Sequence, residues 1–96
     1  MKRVTVAALV AVVEKKPGES WAAFSNRHAD WGRELVVYLA RQRSGLTLKQ
    51  IGAQLGIEEY RTVGKAAQRF AVALPRDKAK QQLVKACMNE LSLVET

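Results

Sequence analysis

Apolar residues recur along this chain at the three- and four-residue spacing of helices, and no stretch alternates apolar and polar positions as a half-buried strand would. The pattern predicts helices over about 4–15, 30–44, 48–55, 58–74 (starting at Glu58 or Glu59) and 76–93, with a short helical turn that starts at Ser20. Glycine or proline separates these segments. We therefore predict an all-α fold, a small helical domain of five to six helices.

Each predicted helix has an apolar face expected to form the core. In the first helix this face comprises Val4, Ala8, Ala11 and Val12, widened by Leu9 and Val13. In the helix over 30–44 it comprises Trp31, Leu35, Tyr38 and Leu39, with Arg33, Arg41 and Arg43 on the other face. In the helix over 58–74 it comprises Val63, Ala66, Phe70 and Leu74, and in the last helix Leu83, Cys87, Leu91 and Val94.

The segment around Thr47 carries the sharpest local signal. Thr47 is followed three residues later by Gln50, the spacing of a capping box, and Leu46 and Ile51 occupy the flanking positions of a hydrophobic staple. Gly56 is placed to stop the helix after two turns. A short helix with defined ends is predicted, and a longer helix begins almost at once.

Charge is concentrated in the same part of the chain. The 96 residues include 16 Lys and Arg and 9 Asp and Glu, for a net charge of +7, and the length suits one domain, 1–96. Residues 41–85 hold ten bases and three acids, so this block alone carries +7, while 1–40 carry +2 and 86–96 carry −2. The block contains both the short capped helix and the longer one.

A basic stripe lies on the longer helix. Arg61, Lys65 and Arg69 recur every four residues opposite Val63 and Phe70. A short helix, a glycine-containing turn and a longer helix with a basic outer face are typical of a helix-turn-helix, here at about 47–74, whose second helix enters the major groove of DNA. Two alternatives remain: a helical adaptor whose basic face meets an acidic protein, and an RNA-binding domain.

Residue types needed for catalysis are sparse. Cys87 and His28 are the single cysteine and histidine, which excludes an internal disulfide and a Cys/His metal cluster. Gly64-Lys65 lacks the remaining residues of a phosphate-binding P-loop. The longest apolar run, ten residues from Val4, is too short for a membrane span. We expect a cytoplasmic protein that is not an enzyme and has no cofactor, metal, membrane or small-molecule substrate.

The stretch 37–41 followed by Gly45-Leu46-Thr47-Leu48-Lys49-Gln50-Ile51-Gly52, with Glu59-Tyr60-Arg61-Thr62-Val63 after it, resembles a known family. It is similar to the C-terminal DNA-binding domain of the bacterial replication initiator DnaA and to its relatives at the C-termini of tyrosine transposases. The resemblance covers about 37–70. It implies a Trp-repressor-like helical fold, double-stranded DNA as partner, and a location with the bacterial nucleoid.

The resemblance also assigns DNA-binding positions. Tyr60, Arg61, Thr62 and Lys65 fall at the family's DNA-reading positions, and Lys49 would approach a phosphate. We add Glu59, Arg69, Arg33 and Arg27, the last within Asn26-Arg27-His28, the nearest equivalent of a minor-groove loop.

The signature residues differ from those of the initiators. Glu58, Glu59, Tyr60 and Arg61 stand where the initiators have arginine, aspartate, histidine and threonine, so a different target sequence is expected. Tyr60 favours the transposase branch. The resemblance thus implies a targeting domain that works beside a transposase catalytic domain or another copy of itself.

Overall fold

A computed structural model of the chain describes residues 4–16, 18, 20–24 and 31–95. These residues form six α-helices and no strand, with a 3₁₀ turn between the last two helices. The helices are α1 (Val6–Glu14), α2 (Trp21–Phe24), α3 (Trp31–Arg43), α4 (Leu48–Leu55), α5 (Tyr60–Ala73) and α6 (Lys78–Glu95), and the 3₁₀ turn is Leu74–Arg76. The predicted all-α fold is confirmed.

Capping side chains explain why α1 and α6 begin two residues later than predicted. Thr5 caps α1, where its hydroxyl accepts a hydrogen bond from the Ala8 N–H at 3.1 Å. Asp77 caps α6, where its carboxylate accepts from the Lys80 N–H at 3.1 Å. A capping residue lies outside the helix that it starts, so 4–5 do not belong to α1 and 76–77 do not belong to α6.

Helix α3 is the centre of the fold and contacts α1, α2, α4 and α5. Five of its apolar side chains are buried, namely Leu35, Val36, Val37, Leu39 and Ala40. Because neighbours cover α3 on several sides, its core face is wider than the predicted stripe. Trp31, predicted in the core, is instead exposed at the first turn, and Tyr38 is half-buried.

The buried face of α1 also differs from the prediction. Val6, Leu9, Val12 and Val13 are buried, whereas Ala11 is exposed. Val4 is buried too, but it lies just before the helix. Nearly every residue of α1 is apolar, so polar residues do not mark an outer face, and the packing of α1 against α3 and α6 determines its rotation.

The end of α1 is tied to α6 through charge. The Glu90 carboxylate bonds to the Lys16 ammonium at 2.5 Å and lies 3.8 Å from that of Lys15. Cys87 and Leu91 of α6 are buried as predicted, Leu83 is half-buried, and Val94 lies beyond the described side chains. Within the described part of the chain, no helix combines the length and apolarity needed to cross a bilayer.

Candidate nucleic-acid interface

Helix α5 presents one buried face and one exposed face. Val63, Ala66, Ala67 and Phe70 are buried, and the Phe70 ring lies 4.9 Å from the Tyr38 ring, centroid to centroid. The exposed residues at helical spacing on the other side are Arg61, Lys65, Gln68, Arg69 and Val72, which we call the outer face of α5. Packing on α3 therefore turns the predicted basic stripe away from the core.

The start of α4 is held by the predicted capping box. The Gln50 N–H donates to the Thr47 hydroxyl at 3.2 Å, and the Thr47 N–H donates to the Gln50 side-chain oxygen at 2.9 Å. Ile51 is fully buried and Leu46 packs against the core, as a hydrophobic staple requires. The cap thus gives α4 a defined orientation against α5.

A tight turn of four residues connects α4 to α5. Gly56 has a left-handed backbone with φ +74°, and its N–H donates to the Gly52 carbonyl, as in a left-handed helix cap. The Ile57 N–H donates to the same carbonyl at 2.8 Å, which is the longer-range bond of a Schellman motif. A Cβ atom on Gly52 would lie 2.9 Å from the Ile57 carbonyl oxygen and 3.4 Å from Val63. Glycine at this position therefore lets the turn fold back closely onto α4 and leaves room for the Val63 side chain of α5.

The first turn of α5 carries most of the predicted base-reading residues. Glu59 caps the helix, because its carboxylate accepts from the Arg61 N–H at 3.2 Å. Tyr60 is 44% exposed and Arg61 is exposed, whereas Thr62 is half-buried. The structure thus brings Glu59, Tyr60 and Arg61 to one accessible end, next to Lys65 one turn later.

Arg69 differs from the other bases of the outer face. Its Nε atom lies 3.3 Å from the carboxylate of Glu34 on α3, and the Glu34 side chain is only 11% exposed. A nearly buried carboxylate needs such a partner, because an uncompensated charge there would be costly. Arg69 therefore serves the contact between α3 and α5, and this pairing reduces the charge that it offers to a ligand.

The remaining predicted residues occupy three different settings. Lys49 is exposed in the first turn of α4. Arg33 is half-buried, with its Nε atom shielded from solvent, whereas Arg41, predicted on the same face of the helix, is exposed. Arg27, with Asn26 and His28, lies outside the described residues.

Two residues of the outer face were missed by sequence reasoning. Gln68 is exposed and Val72 is 69% exposed, and both continue the line of Arg61 and Lys65 along α5. The signal was present, since positions seven and eleven residues after Arg61 share its side of a helix. The prediction used only the charged positions of this helix, so it did not include these two neutral side chains.

A shallow groove joins α3 to the outer face of α5. It has a volume of about 220 Å³ and is bordered by Arg41 and Gln42 of α3 and by Gly64, Gln68 and Ala71 of α5. Arg41 is exposed beside this groove. The exposed cations near α5 therefore include one contributed by the central helix.

Reactive groups elsewhere in the described residues form no comparable cluster. Burial raises the pKa of the Cys87 thiol, which disfavours its thiolate form. Among the described residues, no group of three His, Cys, Asp or Glu side chains is placed to hold a metal ion. The outer face of α5 and its surroundings are thus the strongest candidate site.

Comparisons of the chain with protein-family models and with curated proteins give no match. The functional assignment therefore depends on the exposed side chains of α5, on their charge and on the geometry of α4 and the turn.

Proposed function

We propose that the chain is a sequence-directed double-stranded DNA-binding domain that places α5 in the major groove. The observation that carries this proposal is the exposure of Arg61 and Lys65 on one side of α5, with the opposite side buried in the core. Long cationic side chains on such a helix can bond to phosphates and to guanine edges. The resemblance to DnaA-like and transposase-associated domains supports the same interpretation and suggests a targeting role.

The arrangement of α4 and α5 supports this function. A capped helix of eight residues, a four-residue turn with a left-handed glycine, and a helix of fourteen residues match the dimensions of a helix-turn-helix. In such a unit the first helix steadies the second in the groove. The exposed Lys49 at the start of α4 is then near enough to the backbone to bond to a phosphate.

Each exposed residue has a role under this proposal. Arg61 reads a base with help from Thr62, and Glu59 and Tyr60 shape the end of α5 that meets the base pairs. Lys65 and Lys49 bond to phosphates, and Arg69 contributes more weakly because of its ion pair with Glu34. A wider positive field comes from bases on α3, the 3₁₀ turn and α6, namely Arg41, Arg43, Arg76 and Lys78, and more weakly from Lys80, which is ion-paired to Asp77 at 3.0 Å.

Salt dependence tests the proposal. With about five or six phosphate contacts, the logarithm of the affinity for a random duplex should fall against the logarithm of salt concentration with a slope of about −5. Fluorescence anisotropy with a labelled duplex measures the slope. A slope near zero, or no binding at moderate salt, would refute DNA binding.

Two substitutions separate base reading from phosphate binding. Arg61→Ala should cost about 1–3 kcal/mol on the preferred duplex and relax base preference, whereas Lys65→Ala should weaken every duplex alike. Selection from a random duplex library identifies the preferred sequence first. An equal loss on all sequences for both variants would contradict the assigned roles.

The adaptor alternative predicts a different ligand for the same basic face. An acidic polypeptide such as polyglutamate would then bind at moderate salt, and duplex DNA would not compete for it. Structured RNA, added as a second competitor, tests the RNA-binding alternative. Under our proposal, duplex DNA displaces both competitors.

A further inference from the structure

The outer face of α5 continues past Lys65 with two neutral side chains of different chemistry. Gln68 presents an exposed amide, and Val72, one turn further on, is 69% exposed. An open depression of about 430 Å³ surrounds them and is bordered by Lys65, Arg69 and Ala73. An amide and a branched apolar side chain thus lie next to each other on the outer face, beside Lys65 and Arg69.

This combination suits the edge of an A·T base pair in the major groove. A glutamine amide can donate to N7 and accept from the N6 amino group of adenine, and a valine side chain can contact the C5 methyl group of thymine. Neither group suits a phosphate as well as a lysine or arginine does. Lys65, beside them, can bond to a phosphate, and Arg69 contributes more weakly because of its ion pair with Glu34.

Resting on the DNA binding proposed above, we infer that Gln68 and Val72 are specificity-determining residues that extend the recognised sequence with an A·T segment. Gln68 reads an adenine, and Val72 contacts a thymine methyl group one or two base pairs further along. Arg61 reads the other end of the site. The target would then join a guanine-containing end to an A·T end.

The spacing along α5 fits this assignment. Arg61 and Gln68 are seven positions apart, which corresponds to about 10 Å along the helix axis. That distance is close to three base-pair steps of about 3.4 Å each. Recognition helices that lie in the major groove read bases with side chains spread over a similar number of positions. We therefore place the adenine about three base pairs from the pair read by Arg61.

The test begins with selection from a random duplex library, using the full chain and its Gln68→Ala and Val72→Ala variants. The unchanged chain should enrich a motif with an A·T segment about three base pairs from a guanine. Gln68→Ala should lose the adenine preference and bind the enriched duplex about tenfold more weakly. Val72→Ala should lose the thymine preference, with a loss of about threefold.

Duplexes with modified bases test whether Gln68 contacts the adenine N7 atom and whether Val72 contacts the thymine methyl group. Replacing the selected adenine by 7-deazaadenine removes the N7 acceptor and should weaken the unchanged chain about fivefold but leave Gln68→Ala unaffected. Replacing the selected thymine by uracil removes the methyl group and should weaken the unchanged chain about threefold but leave Val72→Ala unaffected. Equal sensitivity in the chain and its variants would overturn the inference.

A matched control is Gln82→Ala, which changes an exposed glutamine of α6. This variant should select the same motif as the unchanged chain with the same affinity. If Gln68→Ala and Val72→Ala also select that motif while binding stays steeply salt-dependent, the inference fails and the proposed function stands. If the unchanged chain binds no duplex, both fail. Helical circular dichroism confirms that each variant is folded.

Discussion

Helices α1 and α5 each bury four residues in the core, but their exposed sides differ. The exposed side of α1 carries Ala7 and Ala11, with Val10 half-buried beside them, whereas that of α5 carries Arg61 and Lys65. A groove of about 420 Å³ lies beside the exposed side of α1 and is also bordered by Trp21 of α2 and by Gln54 and Leu55 of α4. Packing requires only the buried side of a helix to be apolar.

The bases that belong to these two regions also differ in what they contact. Lys15 and Lys16, which follow α1, lie against Glu90 of α6. Arg61 and Lys65 are exposed on α5. Cations that contact acids within the fold contribute to its stability, whereas exposed cations raise the local potential for an anionic partner. The comparison teaches that position in the fold, and not net charge, distinguishes a binding face.

The largest expected effect tests whether the two buried sides are equivalent. Phe70→Ala and Leu9→Ala should each lower the free energy of unfolding by about 3–5 kcal/mol, because both side chains are fully buried. Urea unfolding measures the loss. Val72→Ala, an exposed position on α5, is the control and should stay within about 0.5 kcal/mol of the unchanged chain. A small loss for either core variant would contradict the packing described for its helix.

The next largest effect concerns the turn between α4 and α5. This turn positions the start of α5 and is not part of the chain around α1. Gly52→Ala should lower the free energy of unfolding by about 1–3 kcal/mol, because its Cβ would meet a backbone carbonyl at 2.9 Å. Gly64→Ala is the matched control within α5. Its Cβ would meet only the end of the Leu48 side chain, at 3.2 Å, and alanine favours the helix.

Thermal unfolding of the two glycine variants provides the comparison. The Gly64 variant should stay within about 0.5 kcal/mol of the unchanged chain, since the two contributions oppose each other. Equal losses at Gly52 and Gly64 would contradict the close contact between Gly52 and the Ile57 carbonyl.

A smaller effect separates Arg69 from the rest of the outer face. Arg69→Ala should lower the free energy of unfolding by about 1–2 kcal/mol, because it leaves the carboxylate of Glu34 nearly buried without its partner. Arg61→Ala and Lys65→Ala, which change exposed side chains, should stay within about 0.5 kcal/mol. Chemical denaturation at one pH gives the free energy of unfolding of each of the three variants. A loss at Arg61 or Lys65 as large as that at Arg69 would show that the outer face is structural.

The smallest effect concerns the tie between α1 and α6. The hydrogen bond from Lys16 holds the pKa of Glu90 below its ordinary value of 4.5. Because the folded pKa is lower than the unfolded one, the pair stabilises the fold above pH 4.5 and loses that contribution as pH falls through the folded pKa. Glu90→Gln should therefore reduce the acid sensitivity of stability slightly.

Urea midpoints measured from about pH 6 to about pH 3 test this effect. Glu58→Gln, at the exposed turn before α5, is the matched control and should retain the full acid sensitivity attributable to Glu90. An unchanged pH profile for Glu90→Gln would refute the stabilising role of the pair.

Local chemistry made several elements predictable. The capping box of Thr47 and Gln50, the left-handed glycine after α4 and the end of α5 at Pro75 all depend on groups within a few residues of one another. The outward direction of Arg61 and Lys65 was also predictable, because α5 has a clear boundary between polar and apolar sides. When a helix has clearly separate polar and apolar sides, its sequence alone predicts which side is buried.

The sequence was less informative where a helix lacks this separation of polar and apolar sides or where a contact joins distant parts of the chain. Ala11 is exposed because α1 is apolar nearly all round, so its sequence does not specify which side packs. Arg33 is half-buried because α3 is surrounded by other helices. The ion pair of Glu34 and Arg69 joins residues far apart in the chain, and no local pattern indicated it.

By itself, the sequence determined the helical class, the capped start of α4, the turn after it and the concentration of bases in residues 41–85. These features depend on backbone hydrogen bonds, side-chain caps and helical periodicity, which act over a few residues. Only the tertiary structure decided which side of α1 is buried and which basic side chain pairs with Glu34. Burial and long-range ion pairing arise only once the helices pack together, so the packed fold separates the exposed bases from those that stabilise it.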